Sequence, residues 1–291
     1  MEFNNIPVST NGREIGQCIY CGAQDVQLST EHTVPYAING PWTLLKASCD
    51  VCAKITQAFE RDTIRSLWGS VRNALAMQSR HSKQRSPTLP LVVQRNGLKE
   101  TIQVPRSEYP TYLTLPLFPT PAITWASSQP AEGVYTNIQM FHIAGPTIRI
   151  ASERFPGAEF VGVHTNFSPV AFAQMMAKIG FCAAIYALGI GPFTHTPIRN
   201  IILGSDRCIN RWVGSWHQEP INEPDSGLHA IKVLCGLDGN IHVILKLFAQ
   251  FGAVTEYHVV LGAPDPAFLV SSGDWPFSNG QSFSPPRNEA L

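Results

Sequence analysis

The chain has 291 residues, of which 44% are hydrophobic and 14% charged, enough apolar content to bury a sizeable core in one large domain or two smaller ones. A formal net charge of zero excludes a uniformly basic coat protein, and 23 prolines and 22 glycines argue for many turns and few long surface helices. No apolar run follows a basic start, and the most apolar stretch, Phe172 to Ile190, is interrupted by Gln174 and Lys178; the expectation is a soluble, cytoplasmic protein with neither signal peptide nor membrane span.

The first sixty residues carry two C-x-x-C pairs, Cys18/Cys21 and Cys49/Cys52, separated by 27 residues. C-x-x-C places two thiolates on one tight turn, and Gly22 after the second cysteine suits that turn because it tolerates positive φ. Four soft ligands make a closed tetrahedral site, so a structural Zn²⁺ is expected. The other three cysteines, Cys182, Cys208 and Cys235, lie among apolar residues and are expected to pack as small hydrophobes. An odd count with paired spacing points to metal binding in a reducing compartment rather than to a disulfide framework.

Between the pairs runs Leu28-Ser29-Thr30-Glu31-His32-Thr33-Val34-Pro35. Glu31 and His32 stand side by side at the end of a short β-prone run. Such a carboxylate can hold a hard divalent cation and such an imidazole can take a proton from water.

From Asp50 to about Ala76, the residues Ile55, Phe59, Ile64, Leu67, Trp68, Val71 and Leu75 recur at helical spacing, which predicts one helix with a possible break at Gly69. Ser79 to Pro90 reads as a linker. Residues 61–99 hold eight Lys/Arg against Asp62 alone, so the basic excess lies directly after the cysteine segment. Beyond it, Leu91–Val93, Thr101–Val104 and Thr147–Ile150 read as short strands. Ser168-Pro169 opens a second helix that runs to about Leu188 and stops at Gly189. Further strands are expected at Ile198–Leu203, Ala230–Leu234, Ile241–Phe248 and Tyr257–Val260, with Asp238-Gly239-Asn240 as a hairpin turn. The expected class is α+β: residues 1–85 form a small zinc-pinned unit, 86–271 a larger domain of short strands and one long buried helix, and 272–291 a disordered tail.

The arrangement C-x-x-C, Glu31-His32-x-x-Pro35, C-x-x-C resembles the zinc-containing four-cysteine branch of the HNH, or ββα-metal, endonucleases. The runs Pro35-Tyr36-Ala37-Ile38-Asn39-Gly40 and Ala47-Ser48-Cys49 to Phe59-Glu60 are also similar to a group of bacterial proteins usually labelled HNH endonuclease. The likeness covers residues 16–85. It implies a two-stranded hairpin followed by a helix, with zinc holding the start of the hairpin to the start of the helix. It further implies divalent-dependent hydrolysis of nucleic acid, with DNA as the expected partner. His32 would be the general base, and Glu31 would hold Mg²⁺ or Mn²⁺. Two positions depart from the family pattern: Leu44 and Leu45 stand near its middle asparagine, and Ala53 stands where its last His or Asn follows the fourth cysteine. Glu60, which shares a helix face with Cys52 and Thr56, is the nearest stand-in for the missing ligand, with Asn39 as another. Lys46, Lys54, Arg61, Arg65 and Arg72 are candidate phosphate contacts. A module that binds nucleic acid or a protein partner without cleaving is the alternative.

Overall fold

The computed structural model describes residues 12–79, 86–124, 136–163, 167–216, 227–252, 254–266 and 282–283. The chain begins with β1 (Arg13–Glu14), β2 (Leu28–His32) and β3 (Thr43–Cys49), which form a three-stranded sheet. The central strand β3 runs parallel to β1 and antiparallel to β2. Leu28 pairs with Cys49 and His32 with Thr43, with an irregularity between Ser29 and Glu31. Helix α1 (Asp50–Ala74) follows β3 without a loop, because Cys49 ends the strand in extended geometry and also serves as N-cap. Thr56, Phe59, Thr63, Ile64, Leu67, Trp68 and Val71 form its buried face, at the helical spacing legible in the sequence. Gly69 does not interrupt it.

The remaining elements are β4 (Thr88–Arg95), β5 (Leu98–Pro105), β6 (Thr111–Leu117), β7 (Asn137–Ala144), α2 (Ile148–Ser152), β8 (Phe160–Gly162), α3 (Pro169–Leu188), α4 (Ile198–Leu203), β9 (Val213–Trp216), β10 (His229–Cys235), β11 (Ile241–Leu247), β12 (Glu256–Gly262) and β13 (Ser282–Phe283). A five-stranded antiparallel sheet has the order β13-β10-β11-β12-β9. β4, β5 and β8 form a third sheet, and β6 pairs antiparallel with β7. Fold class is therefore α+β.

Helix α3 is the centre of the molecule. Ser168 caps it by accepting from the Ala171 N–H, Pro169 occupies its first turn, and Gly189 (φ 85°) ends it. Among the described residues it is the one helix long and apolar enough to cross a membrane, and it is mostly buried inside the fold. It lies against β12 so closely at Gly180 that a Cβ there would come within 3.0 Å of Val259. Trp68 of α1 meets Phe172 of α3 edge-on at 5.9 Å and Phe248 at 5.0 Å, and its indole N–H donates to the Thr114 carbonyl of β6 at 2.9 Å. These contacts place residues from Cys18 to Leu261 in one hydrophobic core, while Leu91, Val93, Val104, Tyr109 and Val161 form a separate small cluster under β4, β5 and β8. The expected division at residue 85 is thus not a division of the core: the cysteine-bearing segment and the C-terminal sheet share one interior, and the segregated part is the β4–β5–β8 unit. Trp68→Ala should consequently destabilise the whole molecule, by about 3–5 kcal/mol. Denaturant unfolding followed by fluorescence and by far-UV dichroism should show coincident midpoints for the shared core; an early transition confined to the cysteine-bearing segment would contradict it.

Two expected strands are corrected. Thr147–Ile150 is the start of α2, where Thr147 caps the Ile150 N–H and outweighs the β-branched composition. Ile198–Leu203 is α4, entered through Pro197 and closed by Gly204 in left-handed geometry, with Ile198, Ile201 and Ile202 on its buried side. The linker expected over Ser79–Pro90 already belongs to β4 from Thr88 onward, and residues 80–85 lie outside the described residues. Of the tail 272–291, Ser282 and Phe283 pair with Leu234 and Val233, and the rest lies outside the described residues. The hairpin at Asp238-Gly239-Asn240 is present, with Cys235 opposite Ile241 and Gly239 at φ 76°.

Candidate functional site

The four cysteines come together as their spacing implies. Gly22, at φ 80°, lets its N–H reach back to the Cys18 carbonyl at 2.8 Å, closing the first C-x-x-C turn. The Ile19 N–H donates to the Ala47 carbonyl at 2.8 Å and docks that turn on β3, beside the junction where Cys49 ends the strand and Cys52 enters the first turn of α1. All four sulfurs lie within 4.8 Å of one another, with Cys21 and Cys49 at 3.7 Å. Bonds of about 2.3 Å to a tetrahedral zinc would separate the sulfurs by about 3.8 Å. Geometry and donor chemistry fit a metal ion of this kind. Burial and the neighbouring Cys18 sulfur push the Cys52 thiol far above its ordinary range. At Cys49 burial acts the same way, but hydrogen bonds from the Cys52 backbone and from the other thiols bring it down to about 7. Four thiolates in this space need a cation between them. Arg199 on α4 brings a partly buried positive charge that interacts with Cys18 and Cys21. Its Nη1 donates to the Thr194 carbonyl at 2.9 Å, and its guanidinium lies 5.8 Å from the centroid of the Phe181 ring.

His32, half-buried, is the last residue of β2, and its ring lies 5.5 Å from that of Tyr36. The loop that follows is tightly built. The Thr33 N–H donates to the Trp42 carbonyl, and a Cβ on Gly40 would fall 1.9 Å from the Val34 carbonyl oxygen.

Glu31 and Glu60 do come together, from β2 and α1, but a third group joins them. Lys178, wholly buried on α3, places its ammonium 2.8 Å from Glu31 Oε1 and 2.9 Å from Glu60 Oε1, and donates to the His32 backbone carbonyl. The side chains of Glu31 and Glu60 keep small exposed areas, 10% and 16%, whereas that of the lysine has none. Burial opposes the ammonium, but Glu31 and Glu60 outweigh it and hold Lys178 charged. Glu60 is raised by burial and by Glu31, against the pull of Lys178. Tyr20 and Cys182 stand 3.5 Å apart in the same interior, and burial keeps both protonated, the thiol pushed up to about 12. Glu60, expected as a metal ligand beside an open site, is therefore a carboxylate already facing a cation that the protein supplies. The same geometry tests whether the residues fit a hard divalent ion. Two carboxylates and a carbonyl converge on one positive charge, and oxygen donors of this kind suit Mg²⁺ or Mn²⁺.

Other expectations change as well. Asn39 does not point to the acid pair; it caps a short 3₁₀ turn in left-handed geometry (φ 60°), and its Oδ1 accepts from the Gln78 N–H at 2.8 Å. Arg72 is a clamp rather than a phosphate contact, donating to the Ala37 carbonyl at 2.6 Å and the Gln78 carbonyl at 3.0 Å. Lys46 pairs with Glu14 and Lys54 with Asp50, both on the surface, where such pairs are weak and exchangeable. Arg61 and Arg65 are exposed one turn apart on α1. Among the described residues the basic segment is divided between a helix and a sheet: Arg61, Arg65 and Arg72 lie on α1, whereas Arg95 pairs with Glu100 at the β4–β5 turn and Lys99 lies exposed on β5; Arg80, Lys83 and Arg85 fall outside the described residues.

The residues the sequence reading missed are Lys178 and Arg199. The one signal for Lys178 was a charge inside an otherwise apolar helix, which a buried partner explains. Among the described residues the four cysteines are the one set of three or more His, Cys, Asp or Glu side chains close enough to hold a metal ion. No protein-family model, no curated protein and no solved structure matches the chain.

Proposed function

We propose that this chain is an HNH-type endonuclease, in which the strand–strand–helix unit β2–β3–α1, held by Zn²⁺ on Cys18, Cys21, Cys49 and Cys52, hydrolyses phosphodiester bonds of nucleic acid, DNA being the substrate to test first. The observation that carries the reading is the position of His32: it ends the first strand next in sequence to Glu31, and its backbone carbonyl meets the same Lys178 ammonium as the acid pair drawn from that strand and from the following helix. In this reading the neutral imidazole takes the proton of the attacking water. Glu31, Glu60 and the His32 carbonyl are the oxygens that would hold a divalent cation, which when bound offsets the charge on the phosphate and on the leaving oxygen. Arg61 and Arg65, exposed on the same helix, would contact flanking phosphates.

A second reading, a catalytically silent HNH-type module that binds nucleic acid or a partner, is favoured by Lys178, whose buried ammonium already satisfies the acid pair. Incubation of the zinc-loaded chain with supercoiled plasmid, single-stranded DNA and RNA separates the two. Cleavage that requires Mg²⁺ or Mn²⁺ supports the enzyme; binding without cleavage of any of the three supports the silent module.

Binding itself has a separate test. Arg61→Gln with Arg65→Gln should weaken association and flatten the dependence of log affinity on log salt by about 2, the share of two phosphate contacts. An unchanged salt slope would assign these side chains to solvent. Arg72 is left intact in this experiment because its change would loosen the loop before β3.

A further inference from the structure

We propose that Lys178 is a tethered competitor for the divalent cation: its ammonium occupies the place that such an ion would take between Glu31, Glu60 and the His32 carbonyl, and it holds the site in a closed, metal-free state. The inference deepens the nuclease reading and rests on it for the choice of ion, but its own test contains no nucleic acid.

The geometry gives the reason. The ammonium stands 2.8 and 2.9 Å from the two carboxylate oxygens. A Mg²⁺ or Mn²⁺ ion would draw oxygens in to about 2.0–2.2 Å, so ion and ammonium cannot share these donors. Nor do the described residues leave a nearby retreat for the lysine. Its side chain has no exposure, and its helix is packed against α1, β3 and the five-stranded sheet. Tyr20 and Cys182 fill the adjoining polar space. Displacing the ammonium would leave it buried without its two counter-charges, which costs far more than moving an exposed lysine. The contact also joins distant parts of the chain, since Lys178 and His32 are 146 residues apart. The central helix of the C-terminal region therefore sets the cation demand of the N-terminal unit.

The test is a Mn²⁺ titration of the zinc-loaded full chain, followed by the electron paramagnetic resonance of free Mn²⁺. The native chain should bind weakly. Lys178→Met, which keeps the apolar stem, should bind one Mn²⁺ per chain at least about tenfold more tightly, because one positive charge has been removed from the oxygen cage. Adding Glu60→Gln to that variant should abolish the gain. If Lys178→Met is unfolded without metal, refolding in Mn²⁺ should recover it, and failure to recover would count against the proposal. Glu60→Gln alone keeps the Lys178–Glu31 pair neutral and should fold. Tight Mn²⁺ binding by the native chain that disappears in Glu60→Gln would overturn the proposal, as would equal affinities of the native chain and Lys178→Met. The two readings fail separately. A chain that binds Mn²⁺ as expected and cleaves nothing loses the nuclease reading and keeps this one. A chain that cleaves with Mn²⁺ but whose affinity ignores residue 178 loses only this one.

Discussion

Cys49→Ser should abolish metal binding at the four cysteines and lower the unfolding midpoint by about 10–20 °C, the shift expected when a stabilising metal site worth about 5 kcal/mol is lost from a chain of this size. The size of the effect follows from where Cys49 stands. It is the last residue of β3, the N-cap of α1 and one of the four clustered sulfurs, so a single substitution loosens strand, helix start and knuckle together. The loss would not stay local. Cys18, Ile19, Tyr20, Cys49 and Cys52 belong to the same core as α3 and the five-stranded sheet, so opening the knuckle exposes part of the central interior. Elemental analysis should find about one zinc per native chain and none in the variant. A native chain without zinc or another thiophilic metal would rule out the site, and a variant that lost metal but kept its midpoint would show that the shared core stands without it. Removal of metal from the native chain by a chelator should reproduce the variant, with recovery on adding Zn²⁺ back.

The second large effect is expected at His32. His32→Ala should reduce nucleic-acid cleavage by roughly 10²- to 10⁴-fold, the usual worth of a positioned proton acceptor. Zinc content, folding and nucleic-acid affinity should stay close to native, because the imidazole is not among the clustered ligands and its backbone carbonyl, which Lys178 uses, remains in place. Glu31→Gln should fail in another way. It removes one charge from the oxygen set facing Lys178, so it should raise the Mn²⁺ concentration needed for activity, and added Mn²⁺ should restore part of the rate. His32→Ala should not respond to added metal. Equal cleavage by native chain and His32→Ala would remove His32 from the chemistry.

What the sequence determined on its own was local. Two C-x-x-C turns, a glycine after the first, and a strand running into a helix at the third cysteine are short-range features, and they come together as the spacing implies. The face of α1 and the limits of α3 were legible for the same reason, since capping and 3.6-residue periodicity act within a few turns. The errors were also local in origin: Thr147–Ile150 and Ile198–Leu203 carry β-branched residues, yet a threonine cap in one and a proline–glycine frame in the other made them helices.

Tertiary structure decided the state of the acid pair. Glu31 and Glu60 looked like ligands waiting for a metal because each was read with its sequence neighbours alone. Their actual partner comes from α3, a helix whose composition marks it only as core. Asn39 and Arg72, read as ligand and phosphate contact, instead fasten the loop before β3 to the end of α1. A charge in water finds its partner in solvent, but a charge carried into an apolar interior must find one in the protein, and which one depends on how the helices cross. That is why the chemistry of Lys178 appears only when α1, β2 and α3 are packed against each other.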